Sequence, residues 1–289
     1  MAEIAAGRQR VMAAVRLRRL TKVFSGQGGE VAALEDLSLD VANGEFAVIL
    51  GPSGCGKSTA IRIIAGLERP TSGTVLVNDR PVAGPVGDCG MVFQSYTSFP
   101  WLSVVQNIAF GLRYVPNVHR ADRLQMARQY AQMVGLEKFA DARINDLSGG
   151  MKQRVAIASA LATNRDILLM DEPFGALDSQ TRMVMQEQLL EIVERGNEVR
   201  GKSKTVVLVT HDIEEALLLG DRIYVCTARP ARILAELAVP FGPRRTAALR
   251  NDARLIHMKH QVFNLLREHV FAAEVERLYE RRRGKKLAS

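Results

Sequence analysis

The sequence has no stretch approaching the roughly 18 uncharged apolar residues that a membrane-crossing helix requires. Its first residues carry Glu3, Arg8 and Arg10 rather than the apolar segment of a secretory signal. The chain therefore reads as soluble and not exported. Cysteine is scarce: Cys55, Cys89 and Cys226 are odd in number, widely spaced and in no metal-ligand pattern, which argues against a disulfide framework and for a reducing cytoplasm. No internal repeat is visible. Also lacking is a basic body. Of a net charge of +8, the first twenty residues hold +4 and the last nine +5, leaving −1 on everything between. A protein that grips phosphates along a nucleic acid needs its basic face on the folded body, so the sequence argues against nucleic acid as a partner. The basic ends read either as solvated tails or as weak attractants for anionic lipid headgroups.

What is present is organised around residues 48–65. The apolar run Val48, Ile49 and Leu50 stops at Gly51; from Lys57 onward the apolar spacing becomes helical, with Ile61, Ile64 and Ala65 on one side. The order is strand, glycine loop, helix. Within it lies G-x-x-x-x-G-K-S, as Gly51, Gly56, Lys57 and Ser58. Glycines let successive backbone N–H groups turn inward, and the helix start adds its own unsatisfied N–H groups and dipole. A polyphosphate fits that nest, with Lys57 reaching the β and γ phosphates and the Ser58 hydroxyl suited to Mg²⁺.

With 47% hydrophobic residues in 289, the chain can bury a substantial core. Strands are expected at 15–20, 36–41, 45–50, 74–77 and 90–93, with Asn43-Gly44 as a hairpin signal between the second and third. From about 95 to 147 the texture turns helical, without a convincing strand: Val104, Ile108, Leu112, then Leu124, Ala127, Tyr130, Ala131, Val134. Short apolar runs at 167–170 and 205–209 read as buried parallel strands, with a helix at 183–193 between them. Further strands are expected at 221–226 and 233–239. Beyond Pro240 and Pro243, Leu255, Met258, Val262, Leu265 and Leu266 form a helical apolar stripe.

Two more segments carry chemistry. The run at 167–172 ends a buried strand with Asp171, able to hold Mg²⁺, and Glu172, placed to orient or deprotonate a water. Adjacent acids at a strand end are common, so the pair alone decides little. Ser148, Gly149 and Gly150 precede a helix expected at 152–161 and make either an ordinary capped helix start or a second anion nest.

Taken in order, Gly51 to Ser58, Gln94 in FQS, LSGGM, ILLMDEP, Ala176-Leu177-Asp178 and Thr210-His211-Asp212 resemble the ATPase subunit of an ABC transporter, over about residues 15–230. The resemblance implies an α/β fold of the P-loop NTPase, RecA-like kind: a mixed sheet core with an antiparallel β subdomain and an inserted α-helical subdomain. It implies ATP and Mg²⁺. ATP would contact Gly51, Pro52, Ser53, Gly54, Cys55, Gly56, Lys57, Ser58 and Thr59, with Phe24 stacked on adenine where many members have Tyr. Ser58, Gln94 and Asp171 would face the metal. Glu172, His211 and Gln94 would serve catalysis: Glu172 activates the water, His211 supports it and touches the γ-phosphate, and Gln94 reports nucleotide state. Ser148, Gly149 and Gly150 would close on the γ-phosphate held by a second copy arranged head to tail, with Asp178 joining the two sites. Met151 stands where the commonest signature has Gln, and Ser159 where Arg is frequent.

A finer resemblance in residues 98–112, 151–158 and 227–237 points to importers of nitrate, sulfonates, taurine and related compounds. The implied partners are permease subunits and, indirectly, a periplasmic or surface solute-binding protein, at the cytoplasmic face of the cell membrane. Phe99, Pro100, Trp101 and Leu102 would meet the permease or pack inside the helical insertion. The expected divisions are a leader at 1–14, the ATPase domain at 15–240 with helical subdomain about 95–155, and a helical extension with basic tail at 241–289. That extension either covers the subunit's own surface, pairs with a second copy or makes a regulatory contact. Cys55 is either a passive small residue or a thiol activated by Lys57. Two rival functions are a soluble ABC-type ATPase and an ATP-sensing scaffold with little turnover.

Overall fold

A computed structural model describes residues 13–26, 29–95, 97–116, 118–200, 204–242, 245 and 247–286, with the backbone alone for 194–200, 247–248 and 270–286. Most of the expected leader, Pro243 and the side chains of the basic tail (Arg281, Arg282, Arg283, Lys285, Lys286) lie outside the described residues. The first half of the chain forms β1 (Ala13–Gly26), β2 (Gly29–Ala42), β3 (Phe46–Leu50), α1 (Lys57–Ile64), β4 (Ser72–Val77), the two-residue β5 (Arg80–Pro81), β6 (Cys89–Val92), α2 (Val104–Gly111) and α3 (Arg123–Met133). The second half forms α4 (Gly149–Ala162), β7 (Ile167–Asp171), α5 (Ser179–Arg200), β8 (Thr205–Thr210), α6 (Ile213–Leu219), β9 (Arg222–Cys226), β10 (Ile233–Ala238) and α7 (Ala253–Lys286).

Two sheets result. One is antiparallel, in the order β2-β1-β4-β5; the other has six strands in the order β10-β9-β3-β8-β7-β6. In the larger sheet β9, β3, β8, β7 and β6 run parallel and β10 is antiparallel at the edge. Strands β3, β7 and β8 are buried at every residue, as central parallel strands covered on both faces must be. Their side chains alternate between two cores. Ala47, Ile49, Leu169, Val207 and Val209 pack with α1 and the antiparallel sheet. Val48, Leu50, Leu168, Met170, Val206 and Leu208 pack with the helices on the other face. This is the mixed α/β architecture expected from the sequence.

The hairpin expected at Asn43-Gly44 does not form. A turn is there, with Gly44 at φ 76° and Glu45 N donating to Ala42 O, but β2 and β3 enter different sheets. Both edges of β3 are taken, by β8 and β9, so β2 pairs with β1 alone. Turn chemistry satisfies the local φ requirement; partner availability decides the pairing. The observed hairpin is β1–β2, closing at Gly26 opposite Gly29. β1 also begins at Ala13, inside the segment expected to be a leader.

The helical insertion contains α2, α3 and the start of α4, with no named strand among its described residues. Beyond β10, a 3-10 turn at Ala247–Asn251 leads into α7. Leu255 and Val262 of α7 are buried, and Met258 and Leu266 pack against the core that contains Leu217 and Leu219 of α6. The described first half of α7 thus packs on the subunit's own surface. Among the described residues no helix is long and apolar enough to cross a membrane.

Candidate functional site

Three parallel neighbours, β3, β8 and β7, deliver their C-terminal ends to one edge of the sheet. That edge is where open α/β sheets bind ligands. Gly51 N donates to Thr210 O across 3.3 Å, so the glycine loop leaves β3 beside the end of β8. Gly56 must be glycine: its φ is 127°, and a Cβ there would lie 2.3 Å from the Ala33 carbonyl oxygen on β2. α1 starts from Gly56 without a side-chain cap. Its first-turn N–H groups, which have no acceptor within the helix, are left to a ligand.

Lys57 is only 4% exposed. Its Nζ donates to Gly51 O and Pro52 O, 2.9 Å each, and stands 3.8 Å from Glu172 Oε1. A buried ammonium group needs such partners, and here it takes the loop's own carbonyls. Ser58 Oγ donates to Asp171 Oδ1 across 2.8 Å. Asp171 is fully buried and its Oδ2 has no hydrogen-bond partner; burial pushes the carboxyl group up against the opposing pull of Ser58. A hydroxyl beside an orphaned carboxylate oxygen is a donor pair that fits a small, hard cation. Among the described residues no cluster of three or more His, Cys, Asp or Glu is arranged around one point, so such a cation would need further ligands from the phosphates or water.

Glu172 adopts φ 46°, a left-handed conformation uncommon outside glycine. Its N–H donates to Val209 O across 3.0 Å, while its carboxylate stands between Lys57 and His211 Nδ1, the latter 3.2 Å from Oε2. Strain on the order of 1 kcal/mol at such a residue persists where the surroundings hold it. The result is an acid standing between an ammonium group and an imidazole at the mouth of the glycine loop.

The other expected site residues fall into two groups. Gln94 is exposed two residues beyond Val92, which pairs with Met170, so it leaves the sheet next to the Asp171-Glu172 corner. Phe24 pairs with Val31 on β2, two residues from Ala33 at Gly56, and Lys22 Nζ lies 4.7 Å from its ring centre. Pro52, Ser53, Gly54 and Thr59 belong to the loop and first helical turn. Ser148, Gly149, Gly150 and Asp178 are a separate group. Ser148 caps α4 by accepting from Met151 N at 3.3 Å, Gly150 lies against Leu177 and Ala176, and Asp178 caps α5 through Gln180 N and Thr181 N. Among the described residues no hydrogen bond or ion pair joins this group to residues 51–59 of the same chain.

Of the two readings of Cys55, burial supports the passive one. Its side chain is 1% exposed and burial pushes the thiol up, outweighing the lowering influence of Lys57. Sequence reasoning also passed over Glu215, Gln186, Arg182 and Arg250, which form a polar network behind His211. The available signal was slight: an acid directly before the apolar run Ala216, Leu217, Leu218 and Leu219.

Comparison with known proteins bears on this arrangement. The sequence profile of the ABC transporter family matches residues 34–175. The chain is 42% identical to the nitrate import ATP-binding protein of Synechocystis sp., over 86% of this chain and 93% of that one. It is 45% identical to a taurine import ATP-binding protein of Burkholderia pseudomallei, over 81% and 87%. Its fold is similar to the dimeric post-hydrolysis structure of an ATP-binding cassette bound to ADP and Pi, with TM-score 0.69 and 35% identity, covering 78% of this chain and 98% of that one.

Proposed function

The chain belongs to the ABC transporter family, and from that premise we propose that it is the motor subunit of an importer for a small anionic or zwitterionic solute of the nitrate, sulfonate or taurine kind. As a member of that family it is an ATP-binding, ATP-hydrolysing subunit that acts as a dimer with membrane partners. The observation that carries the catalytic reading is Glu172, held 3.8 Å from Lys57 and 3.2 Å from His211 at the mouth of the glycine loop.

In this reading the N–H groups of residues 53–59 cradle the ATP phosphates, and Lys57 exchanges the carbonyls of Gly51 and Pro52 for phosphate oxygens. Phe24 offers an aromatic face for adenine. Ser58, Asp171 and Gln94 would hold Mg²⁺. When bound, Mg²⁺ neutralises charge on the β- and γ-phosphate oxygens. Glu172 accepts the proton of the attacking water, and His211 fixes the Glu172 carboxylate and meets the γ-phosphate. Ser148 to Gly150 of a second copy complete the site, because their own chain leaves them apart from its loop. ATP drives closure to the extent that the closed dimer binds it more tightly.

The membrane partner would dock beside the helical insertion. Phe99 packs on Trp101 and Phe110 at ring-centre distances of 5.5 and 4.6 Å, Trp101 is 71% exposed, and a cleft of about 450 Å³ opens alongside Phe93, Phe99 and Tyr114. Thus placed, the subunit lies at the cytoplasmic face of the membrane, and a solute-binding protein outside selects the cargo.

Measurement of phosphate release tests the reading. Glu172→Gln is expected to bind ATP yet hydrolyse it at least about a hundredfold more slowly, and to accumulate as a closed dimer. Cysteines introduced by Ser53→Cys and Ser148→Cys should then crosslink between chains with ATP present. Crosslinks confined to single chains would overturn the shared site, and near-normal turnover would remove Glu172 from its role. Co-purification with a co-expressed membrane permease separates the importer from a soluble ATPase.

A further inference from the structure

His211 sits on the turn between β8 and α6, and that turn is fastened by a chain of hydrogen bonds among largely buried side chains. Thr210 Oγ1 accepts from Asp212 N at 3.0 Å, and its hydroxyl donates to Glu215 Oε2. The other carboxylate oxygen, Oε1, accepts from Gln186 Nε2 of α5 at 3.3 Å. Gln186 Oε1 in turn accepts from Arg250 Nη2 at 2.9 Å. Arg250 belongs to the 3-10 turn of the C-terminal extension, and its Nε stands 3.4 Å from Glu214 Oε1; Lys259 of α7 donates to Glu214 Oε2 at 2.9 Å. Glu215 is 6% exposed, Gln186 1% and Thr210 2%.

Donors converge on Glu215 from both sides, an arrangement that suits an ionised carboxylate, an acceptor-only group, at its centre. We propose that Glu215 is a positioning residue for the ATPase reaction, holding the Thr210–Asp212 turn so that His211 meets Glu172 and the γ-phosphate, and that Arg250 of the C-terminal extension completes the hold. The extension thereby acts on hydrolysis from behind the site, without touching ATP. The inference rests on the role proposed above for His211. Burial raises the Glu215 carboxyl to about 7, against the hydrogen bonds from Thr210 and Gln186 and the charge of Arg182, with Asp212 adding to the rise. A proton taken up there removes an acceptor that the chain of donors uses.

The test exploits polarity. Glu215→Gln keeps the shape but offers one acceptor oxygen where Thr210 and Gln186 donate to two, so kcat should fall about tenfold, a loss typical of sub-ångström misplacement, while KM for ATP changes less than about twofold. Combining Glu215→Gln with Gln186→Glu restores a consistent order of donors from Arg250 to Thr210, and should return kcat to within about threefold of wild type. The wild-type kcat should fall below about pH 7, and that limb should be absent from Glu215→Gln. Arg250→Leu changes a partly exposed position and should lower kcat about threefold; it stays decisive if the buried variants do not fold. Unchanged kcat in Glu215→Gln or Arg250→Leu overturns the proposal, as does a double variant no better than the single one. Absence of phosphate release by the wild type would instead overturn the assignment of hydrolysis to this chain.

Discussion

Lys57 Nζ stands 3.8 Å from Glu172 Oε1, with both side chains largely withdrawn from water, at 3% and 15% exposure. The ammonium group spends its other donors on the carbonyls of Gly51 and Pro52. A phosphate group entering the loop offers it a charged acceptor in place of neutral ones, and charge-assisted hydrogen bonds are roughly twice as strong. Lys57→Ala should therefore lose most ATP affinity, at least about 2 kcal/mol or thirtyfold, as read by nucleotide titration. Unchanged affinity would count against the cradle.

Gly56 supplies the second prediction. Any Cβ at this position would meet the Ala33 carbonyl oxygen at 2.3 Å with φ at 127°, so both sterics and backbone conformation oppose a side chain. Gly56→Ala should cost roughly 2–4 kcal/mol of stability and weaken nucleotide binding, because the loop must draw away from β2. Gly54→Ala offers a contrast: its φ is 74°, but a Cβ there meets nothing within 4 Å, so the cost should stay near 1 kcal/mol. Thermal unfolding of the two variants side by side checks the difference.

How much of this was legible beforehand follows from the range of the interactions involved. The strand-loop-helix at residues 48–65 was readable because sequence neighbours carry it. The buried runs ending in Asp171 and Thr210 declared themselves as parallel strands by composition. That their ends converge with Gly51 came from the resemblance, since pairing of β3 with β8 joins residues some 160 apart. The Asn43-Gly44 turn misled because a local signal cannot report that both edges of β3 are already taken. The Glu215 network was hidden because its members come from β8, α5, α6 and the C-terminal extension, and the chain order shows none of those adjacencies.

Cys55 leads to the third prediction. Its thiol is buried and pushed up, Cys226 is pushed up further by burial, and Cys89 is driven to about 12. Since the thiolate is the reactive form, folded protein at pH 7 should react with a maleimide at least about tenfold more slowly than an exposed thiol, and denaturant should reveal all three cysteines. Mass spectrometry of the labelled protein checks this. Rapid modification of Cys55 in the folded chain would show that Lys57 prevails over burial.

The last prediction concerns stability against pH. In the folded chain the Glu215 carboxyl is raised from 4.5 to about 7, so between those values the folded state holds a proton that the unfolded state has released. Where the folded state binds more protons, stability falls as pH rises. The contribution of Glu215 is thus greatest below about 4.5, declines through the window up to about 7, and then levels off. The full decline is on the order of 3 kcal/mol at 1.36 kcal/mol per unit. Glu215→Gln has no proton to exchange and should show a shallower fall in unfolding free energy between pH 5 and 7.5, measured in denaturant at fixed ionic strength. Parallel curves for wild type and variant would mean that Glu215 is already ionised throughout, with Thr210, Gln186 and Arg182 stabilising its charge more than burial penalises it.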